Sequence, residues 1–577
     1  MKFFHVYNER CYEGLAKNDL INEDTGFKIQ HSFAMPSEYK FNSIAAKGTR
    51  LHSMIKNDRI PFYVDRITGG ITYHKYAFDP ELIREYEAIL GNWFLGFQLH
   101  ESASNITGSD WPAILSAMGS EGPYDLSELK ERLASPFAVT PDGERLHSLS
   151  HGDPEYYAPL RFPHSPEEFM EQVVKNYTAR MEETLGNLLP CDSYYLLSRL
   201  QNEMGMKTFM PEVGWQIADM RIAVALARAT AKHSGKTWGT YYETWLYDSE
   251  TAAGASMPCY NDDPSNEWYL TQELHPDDFT GHGSAGGSSR RLQKRIYYFS
   301  LMSGADYFAE EWGLNCSYTD MNTFELSEYG LAKKEFIEFA RGHKTVKAHT
   351  PFAIVLPTEY YCVRVHNPFR IHGLGEHRST YMTFPITDSQ MRFNAHVEDV
   401  LKLIYGRFGK ACGNEGHVIT NSRFGDLFDI IYADAGDDVF SKYEMLIDAS
   451  TDGTFARSHG KHFKILTSED FDRLERDIHL ASREILPVWV DSLHWLISTD
   501  GEGRRYLSIF NNEGNFRARP VGDTVDKNAD RSVKISFRTE TELKPVFLSV
   551  SDIKVQRLDG SDYSVDMPAT EFAIFEF

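Results

Sequence analysis

The sequence predicts an α/β protein: a (β/α)8 TIM barrel, then a small doubly wound α/β domain, then a C-terminal β-sandwich. Three observations predict this order. Strand-like and helix-like segments alternate through residues 1–345, continuous apolar strands alternate with helical segments over 346–486, and short strands without a helix candidate fill 487–577. With 577 residues, the chain is long enough for two to four domains.

The first part contains eight segments that are typical of buried strands, because each is short, apolar and rich in β-branched or aromatic residues. They begin at Lys2, Phe27, Ile60, Trp93, Tyr194, Met206, Thr237 and Asp306. Helical segments separate them, such as the one from Gln216 to Ser234, whose apolar residues recur at helical spacing and which Gly235 terminates. Eight such units predict a barrel with its active site at the carboxyl ends of the strands.

Two long polar stretches interrupt this alternation, Thr107–Pro163 and Leu246–Ser289. We expect both on the loop face of the barrel, where such segments form the walls of a substrate pocket. The second contains the glycine-rich run Gly281–Gly287, which does not match the phosphate-binding P-loop pattern. This run therefore predicts a mobile active-site loop.

The second part contains continuous apolar runs, which are typical of a parallel sheet covered on both faces. They are Pro351–Pro357, Asp429–Asp434, Glu444–Asp448 and His462–Leu466. After Pro487, the segments Val490–Thr499 and Arg505–Phe510 flank the turn Gly501–Gly503, which predicts a β-hairpin. The remaining segments are short and strand-like, as in a β-sandwich.

The net charge and the cysteine content limit which partners and which cellular compartment are expected. A net charge of −24 argues against nucleic acid or an anionic membrane as the main partner. The six cysteines form no CxxC pair and no close Cys/His cluster, so we do not expect a structural metal site. Six thiols in a chain of this length are typical of a protein in a reducing compartment. No apolar leader and no run of about 18 apolar residues is present, which predicts a cytoplasmic protein.

Two glutamates carry the predicted chemistry. Glu101 ends the fourth predicted strand and Glu243 ends the seventh. In a barrel these ends lie across the mouth from each other, so both carboxylates can reach one glycosidic bond. Retaining hydrolysis needs two such groups about 5–5.5 Å apart, one to attack the anomeric carbon and one to protonate the leaving oxygen. No metal or cofactor is needed for this cleavage.

Three short motifs, Leu99-His-Glu101, Tyr241-Tyr-Glu243 and Glu311-Trp312, together with the three-part layout, resemble clan A of the glycoside hydrolases. The layout is similar to that of family 42 β-galactosidases and related β-mannosidases. The resemblance implies that Glu243 is the nucleophile and Glu101 the acid/base. We expect the pKa of Glu101 to rise beside charged Glu243, and to fall when the glycosyl-enzyme neutralises that charge.

One residue departs from the clan pattern. Clan A enzymes usually carry Asn just before the acid/base, where it holds the sugar 2-hydroxyl, and here that position is His100. Either His100 takes that role, or the chain reads C2 differently, or the alignment of these residues is shifted. The departure bears more on the substrate than on the chemistry.

Further candidates surround the two glutamates in the prediction. Glu212 ends strand six and competes for either catalytic role or binds a sugar hydroxyl. Glu310 and Glu311 are adjacent, so they point to opposite faces of a strand, and we favour Glu311 as a sugar ligand. Asp65 or Arg66 lines the pocket. The remaining candidates each have two interpretations. Trp111, Trp245 and Trp312 are either stacking platforms for a sugar or ordinary packing residues, and His31 is either a sugar ligand or a core or rim residue.

The α/β domain resembles amidotransferase domains, but Cys362 and Cys412 do not sit in a nucleophile elbow, so we expect a structural role. The resemblance implies a homotrimer. The predicted function is a retaining exo-β-glycosidase that removes a terminal β-galactoside or β-mannoside from an oligosaccharide or glycoside.

Two alternatives stay open. A non-catalytic glycan-binding or scaffold protein would place the two carboxylates much more than about 6 Å apart. A metal-dependent barrel enzyme would use a cluster at the strand ends, drawn from His31, Asp65, His100 and Glu212.

Overall fold

The structure is a computed structural model of the whole chain. It describes all residues except 8, 30–36, 69–75, 107–109, 134–135, 140–144, 148–153, 193–194, 215–219, 245–287, 312–316, 321, 359–387, 407–418, 450–460, 465–467 and 519–521.

The first part of the chain is a barrel of eight parallel strands, here called the first to the eighth barrel strand. They are Lys2–Val6, Thr25–Ile29, Phe62–Thr68, Phe94–His100, Leu188–Cys191, the interrupted pair Thr208–Phe209 and Glu212–Val213, Thr237–Glu243 and Tyr307–Glu311. Hydrogen bonds join neighbouring strands in chain order and join the eighth strand to the first. The fifth and sixth strands lie side by side without a ladder between their described residues, so the barrel is nearly closed.

The fifth strand corrects the prediction. The segment from Tyr194 was expected to be this strand, but Tyr195–Leu197 is a 3-10 turn that leads into the helix Ser198–Glu203. The strand is Leu188–Cys191, where Pro190 weakens the strand signal. The apolar residue Leu196 in this segment does not belong to a strand, because it packs into the core of the second part of the chain. Each of the other seven predicted strands overlaps an observed barrel strand.

Helices cover the outside of the barrel. They are Glu9–Lys17, Ser37–Ile44, Arg50–Asp58, Pro80–Leu90, Pro166–Glu183, Ser198–Glu203, Met220–Ser234, Arg290–Met302 and Glu328–Gly342. The helix Pro80–Leu90 shows how its sequence starts it: the side chain of Asp79 accepts from the backbone N–H groups of Glu81 and Leu82, and Pro80 occupies the first turn. The barrel interior is filled by a separate set of side chains: Phe4, Tyr63, Leu95, Leu189, Cys191, Met210, Tyr241, Tyr307 and Ala309.

The first long polar stretch is more ordered than expected. It contains the helices Trp111–Met118, Leu126–Leu133 and Pro154–Tyr157 and the hairpin of Pro136–Val139 with Arg145–His147, and the short helix Ser102–Asn105 precedes it. Its many Ser, Gly and Pro residues favour loops and turns over helices in the sequence. A second hairpin, Tyr318–Asp320 with Glu325–Leu326, follows the eighth barrel strand. The predicted loop Gly281–Gly287 lies outside the described residues.

The second part is a four-stranded parallel sheet, as predicted. Its strands are Phe352–Leu356, Phe428–Tyr432, Met445–Asp448 and Lys461–Lys464, and the first of them lies between the second and the third. The helices Asp388–Tyr405, Asp437–Phe440 and Ser468–Ile485 belong to this part. Cys362 and Cys412 lie outside the described residues.

The third part is built from two antiparallel sheets, which fits the predicted β-sandwich. One sheet contains Lys347–Ala348, His494–Thr499, Arg505–Phe510, Phe572–Glu576 and Lys544–Leu548. The other contains Val488–Val490, Arg531–Phe537, Asp562–Met567 and Lys554–Arg557, and a small hairpin joins Asn515–Ala518 to Gly522–Val525. The predicted hairpin around Gly501 is confirmed. The strand Lys347–Ala348 precedes the second part in the chain yet pairs with the third.

One barrel helix, Met220–Ser234, lies between the barrel and the second part, and we call it the interdomain helix. One face carries Val224 and Ala227 into the barrel core, and the other carries Ile222 and Leu226 into the core of the second part. This helix leads directly into the seventh barrel strand, which ends at Glu243. Among the described residues no helix is long and apolar enough to cross a membrane.

Candidate active site

Two strand registers bring the candidate residues to one face at the barrel mouth. His100 is paired with Cys191 on neighbouring strands, and Glu243 is paired with Glu311. Paired residues of adjacent strands point to the same face. All four side chains are more than nine-tenths buried, so the site is formed below the rim of the barrel.

Glu101 takes its position from a sharp backbone turn. Its φ is +45°, in the left-handed region that residues other than glycine, Asn and Asp seldom adopt. Its N–H donates to the carbonyl of Cys191 at 2.6 Å, and the carboxylate of Asp192 accepts from the N–H of Ala103 at 2.8 Å. These two bonds hold the turn against the fifth strand, which fixes where the Glu101 side chain enters the pocket.

Glu243 is fully buried and lies across Gly214. A Cβ atom at position 214 would stand 2.7 Å from the Cβ of Glu243 and 2.8 Å from its Oε2. The φ of Gly214 is +146°, which also favours glycine. The sequence after the sixth strand therefore leaves room for the Glu243 side chain at this point.

Three carboxylates meet at the mouth. One carboxylate oxygen from each of Glu101, Glu212 and Glu243 lies within 4.8 Å of the other two. The two predicted catalytic groups are therefore close enough to act on one glycosidic bond from a retaining arrangement, which needs about 5–5.5 Å. A separation much above 6 Å, expected for the scaffold alternative, is not what the structure has.

His100 lies at the centre of the carboxylates. Its Nε2 is 3.7 Å from Oε2 of Glu101, 3.8 Å from Oε1 of Glu212 and 3.9 Å from Oε1 of Glu311. Its ring also packs edge-on against Tyr241, with 5.7 Å between the ring centres. His100 thus faces the pocket at the position where clan A enzymes carry Asn.

The adjacent glutamates on the eighth strand point in opposite directions. Glu311 faces the pocket, whereas Glu310 faces the outer helices, where Lys333 Nζ lies 2.6 Å from its Oε2 and the hydroxyl of Tyr329 donates to its Oε1 at 2.9 Å. Glu310 and Lys333 thereby form a structural ion pair between the eighth barrel strand and the helix Glu328–Gly342. Only Glu311 of the two can contact a sugar.

Asp65 lies inside the barrel and closes the floor of the site. It forms a fully buried ion pair with Lys28 at 3.3 Å and accepts from the hydroxyl of Tyr241 at 3.2 Å. Lys28 also donates to the backbone carbonyl of Glu310 at 2.6 Å. These bonds tie the second, third, seventh and eighth strands together beneath Glu101 and Glu243.

The other candidates have mixed outcomes. Trp111 is not a stacking platform: it is fully buried, donates to Gln172 at 2.8 Å and packs against Tyr157, so it is part of the apolar core around the barrel. The side chain of Arg66 lies outside the described residues, as do His31, Trp245 and Trp312.

The sequence reading missed Cys191 and Asp192. Both follow a strand that was placed too late in the chain, so neither was expected at the barrel mouth. Cys191 is a free thiol at the end of the fifth strand, and its pKa is well above the ordinary value because the thiol is buried and because Glu212, Asp192 and Glu101 lie nearby. The signal that could have found both residues is the buried run Leu188–Cys191 followed by an acidic residue.

Comparison with known proteins gives structural neighbours alone. No protein-family model matches the chain, and no curated protein sequence matches it. Among solved structures, α-L-fucosidase isoenzyme 2 from Paenibacillus thiaminolyticus is 12% identical, with a TM-score of 0.43 over 99% of this chain and 96% of that one.

Two β-galactosidases are also similar. The enzyme from Halorubrum lacusprofundi is 10% identical, with a TM-score of 0.39 over 100% of this chain and 99% of that one. The enzyme from Marinomonas ef1 is 8% identical, with a TM-score of 0.35 over the full length of both chains. Likeness at this level says nothing about substrate or chemistry, so the function depends on the residues of the pocket.

Proposed function

We propose that the protein is a retaining exo-β-glycosidase of the clan A type, with Glu243 as the nucleophile and Glu101 as the acid/base. The observation that carries this proposal is the approach of the two carboxylates to within 4.8 Å, at the carboxyl ends of the seventh and fourth barrel strands. An inverting enzyme needs space for a water molecule between its base carboxylate and the anomeric carbon. The separation of Glu101 and Glu243 leaves no room for that water.

The proposed reaction has two steps. Glu243 attacks the anomeric carbon while Glu101 donates a proton to the leaving oxygen, which gives a covalent glycosyl-enzyme. Glu101, now a carboxylate, then removes a proton from water, and the water displaces Glu243 with net retention at the anomeric carbon. The partial exposure of Glu101 fits a group that meets the aglycone and then water, and the full burial of Glu243 fits a group beneath the sugar ring.

The remaining polar side chains are suited to hold the sugar. His100, Glu212 and Glu311 face the same space as the catalytic pair and offer ring nitrogen and carboxylate oxygen atoms to hydroxyl groups. We propose that His100 contacts the 2-hydroxyl, and that a terminal β-galactoside or β-mannoside is the substrate. We also propose a cytoplasmic location, a homotrimer and three domains that span residues 1–345, 346–486 and 487–577.

The test is azide rescue of two variants with activated aryl β-glycosides. Glu243→Ala should lose at least about 10³-fold in kcat and recover with azide as the α-glycosyl azide, because azide replaces the nucleophile on the face opposite the leaving group. Glu101→Ala should recover with azide as the β-glycosyl azide, because it still forms the glycosyl-enzyme. The two products have opposite anomeric configurations, so each variant serves as the control for the other.

A panel of β-galactoside, β-mannoside and other aryl glycosides would identify the sugar. Full activity of Glu243→Ala without azide would disprove its role and make Glu212 the residue to test. If the wild-type protein hydrolyses no member of a broad panel, the glycan-binding alternative gains support.

A further inference from the structure

We propose that His100, Cys191 and Glu212 form a binding site for a thiophilic divalent cation, represented by Zn²⁺, and that occupation of this site inhibits the enzyme. The binding site stands on geometry alone. Its inhibitory effect rests on the glycosidase function proposed above. The site lies at the base of the same pocket, on the fourth, fifth and sixth barrel strands.

The geometry suits a small cation. One ligand atom from each of the three residues lies within 4.8 Å of the other two, and Nε2 of His100 is 3.8 Å from Oε1 of Glu212. In a tetrahedral zinc site, bond lengths of about 2.0–2.3 Å place the ligand atoms roughly 3.3–3.6 Å apart. The ligand atoms therefore need to approach one another by at most about 1.5 Å around an ion. The register between His100 and Cys191 already directs both side chains to the same face.

The ligand types select the metal. Imidazole, thiolate and carboxylate are zinc ligands, and three protein ligands with an open fourth position are common for this ion. A thiolate disfavours Mg²⁺ and Ca²⁺, which prefer oxygen ligands alone. All three residues are more than nine-tenths buried, so a bound ion would be shielded from bulk water.

The surroundings favour a positive ion. The carboxylates of Glu101 and Asp192 interact electrostatically with Cys191, and Glu101 and Glu243 each place an oxygen within 4.8 Å of one on Glu212. A divalent cation would reduce the repulsion among these carboxylates. The chain as a whole adds a net charge of −24, which attracts cations at low ionic strength.

Inhibition follows from the shared residue. Glu212 belongs both to the proposed cation site and to the trio with Glu101 and Glu243. An ion held by Glu212 and His100 removes both side chains from the sugar site. Substrate and cation therefore compete, and we expect Zn²⁺ to raise KM for an aryl glycoside, with full recovery on addition of a chelator.

The binding test uses Co²⁺, because a cobalt–thiolate bond gives an absorption band in the near ultraviolet that carboxylate and imidazole ligands do not give. Chelator-treated protein should develop this band with one equivalent of Co²⁺, and added Zn²⁺ should remove it. Cys191→Ser should lose the band and weaken Zn²⁺ inhibition by at least about tenfold, because a hydroxyl is a poor ligand for these ions. Cys11→Ser is the matched control, since Cys11 is also buried and forms no disulfide.

Three results would overturn the proposal. They are the absence of the band in the wild-type protein, its persistence in Cys191→Ser, and loss of activity with chelator that Zn²⁺ restores. The last result would instead indicate a metal-dependent barrel enzyme. Because the band does not depend on hydrolysis, a protein that binds Co²⁺ through Cys191 but cleaves no glycoside would disprove the proposed function and leave the site in place.

Discussion

Single residues set the position of each of the two carboxylates proposed as catalytic, and the backbone contributes as much as the side chains. Glu101 is held by a left-handed turn, and Glu243 lies over a glycine that has no room for a methyl group. Such positions are sensitive to substitutions that leave the catalytic residues in place, because small displacements of reacting groups are costly in rate.

Replacing Gly214 by Ala tests the support of the nucleophile. The added Cβ would meet Glu243 at 2.7 Å, and the backbone at +146° is unfavourable for alanine, so Glu243 must move. We expect kcat to fall about 100-fold. Steady-state kinetics on an activated aryl glycoside would show this, and Gly235→Ala is the control, since nothing lies within 4 Å of a Cβ there although φ is also positive. An unchanged kcat in Gly214→Ala would contradict this packing.

Asp192 tests the support of the acid/base. Asp192→Ala removes the acceptor for the N–H of Ala103 and loosens the turn at Glu101, whereas Asp192→Asn keeps an oxygen in the same place. We expect kcat to fall about tenfold in the alanine variant and about twofold or less in the asparagine variant. The loss should be largest for substrates with poor leaving groups, because these need the proton from Glu101. Equal losses for good and poor leaving groups would speak against a positioning role.

At the scale of an element, the interdomain helix links the barrel to the second part. Arg221 donates to three backbone carbonyls of the second part, those of Tyr405, Thr420 and Gly425. Arg228 and Lys232 both contact Asp429, each at 2.9 Å. Burial by itself would raise the pKa of Asp429, but the two cations facing it hold that pKa below the ordinary value.

Removing one partner of this buried pair should be costly. Arg228→Ala leaves buried Asp429 with the cation Lys232 and with the hydroxyl groups of Thr350 and Tyr443, which donate to it. These contacts replace only part of the lost ion pair, and we expect a loss of about 3–5 kcal/mol in the free energy of unfolding. Lys232→Ala should cost about 1 kcal/mol or less, since the Lys232 side chain is 39% exposed. Urea unfolding of both variants measures the difference. If Arg228→Ala does not fold, the double variant Arg228→Met, Asp429→Leu should recover stability, and similar losses in the two single variants would refute the assignment.

At the scale of the whole molecule, the three parts share apolar cores. The core of the barrel continues into Leu496, Phe510 and Phe572 of the sandwich, and the core of the second part continues into Val533 and Val565 of the sandwich. His494 lies at this junction, fully buried, with its Nε2 3.5 Å from Asp426. Burial and the nearby Arg221 lower the pKa of His494 to about 4 despite that carboxylate.

This shift predicts a pH dependence of stability. Below pH 6.5 the unfolded chain binds a proton on this histidine, and the folded chain does not do so until about pH 4. The free energy of unfolding therefore falls as the pH is lowered from 6.5 to 4, by about 3 kcal/mol from this group. His494→Gln should show a shallower slope over this range in urea unfolding, whatever its stability at pH 7. An identical slope would show that another group titrates.

Much of this architecture could be predicted from local pattern. Local sequence patterns predict alternating strands and helices, the helix cap at Asp79 and the continuous apolar strands. Seven of the eight barrel strands are found where the pattern places them. Glu101 and Glu243 could be singled out because each is a carboxylate at the end of a strong strand signal. The fifth strand could not, because Pro190 and the apolar residues after it reverse the local preference.

The sequence by itself determined the barrel, the second sheet, the sandwich and the two strand-end glutamates, since hydrophobic period and turn residues act over a few neighbours. Tertiary structure alone decided which groups meet. Glu212, His100 and Cys191 converge because strand register is set across the closed sheet, and the inward direction of Glu311 against the outward direction of Glu310 follows from that register. Distances between residues 100 positions apart depend on the packing of the whole barrel, which no local pattern contains.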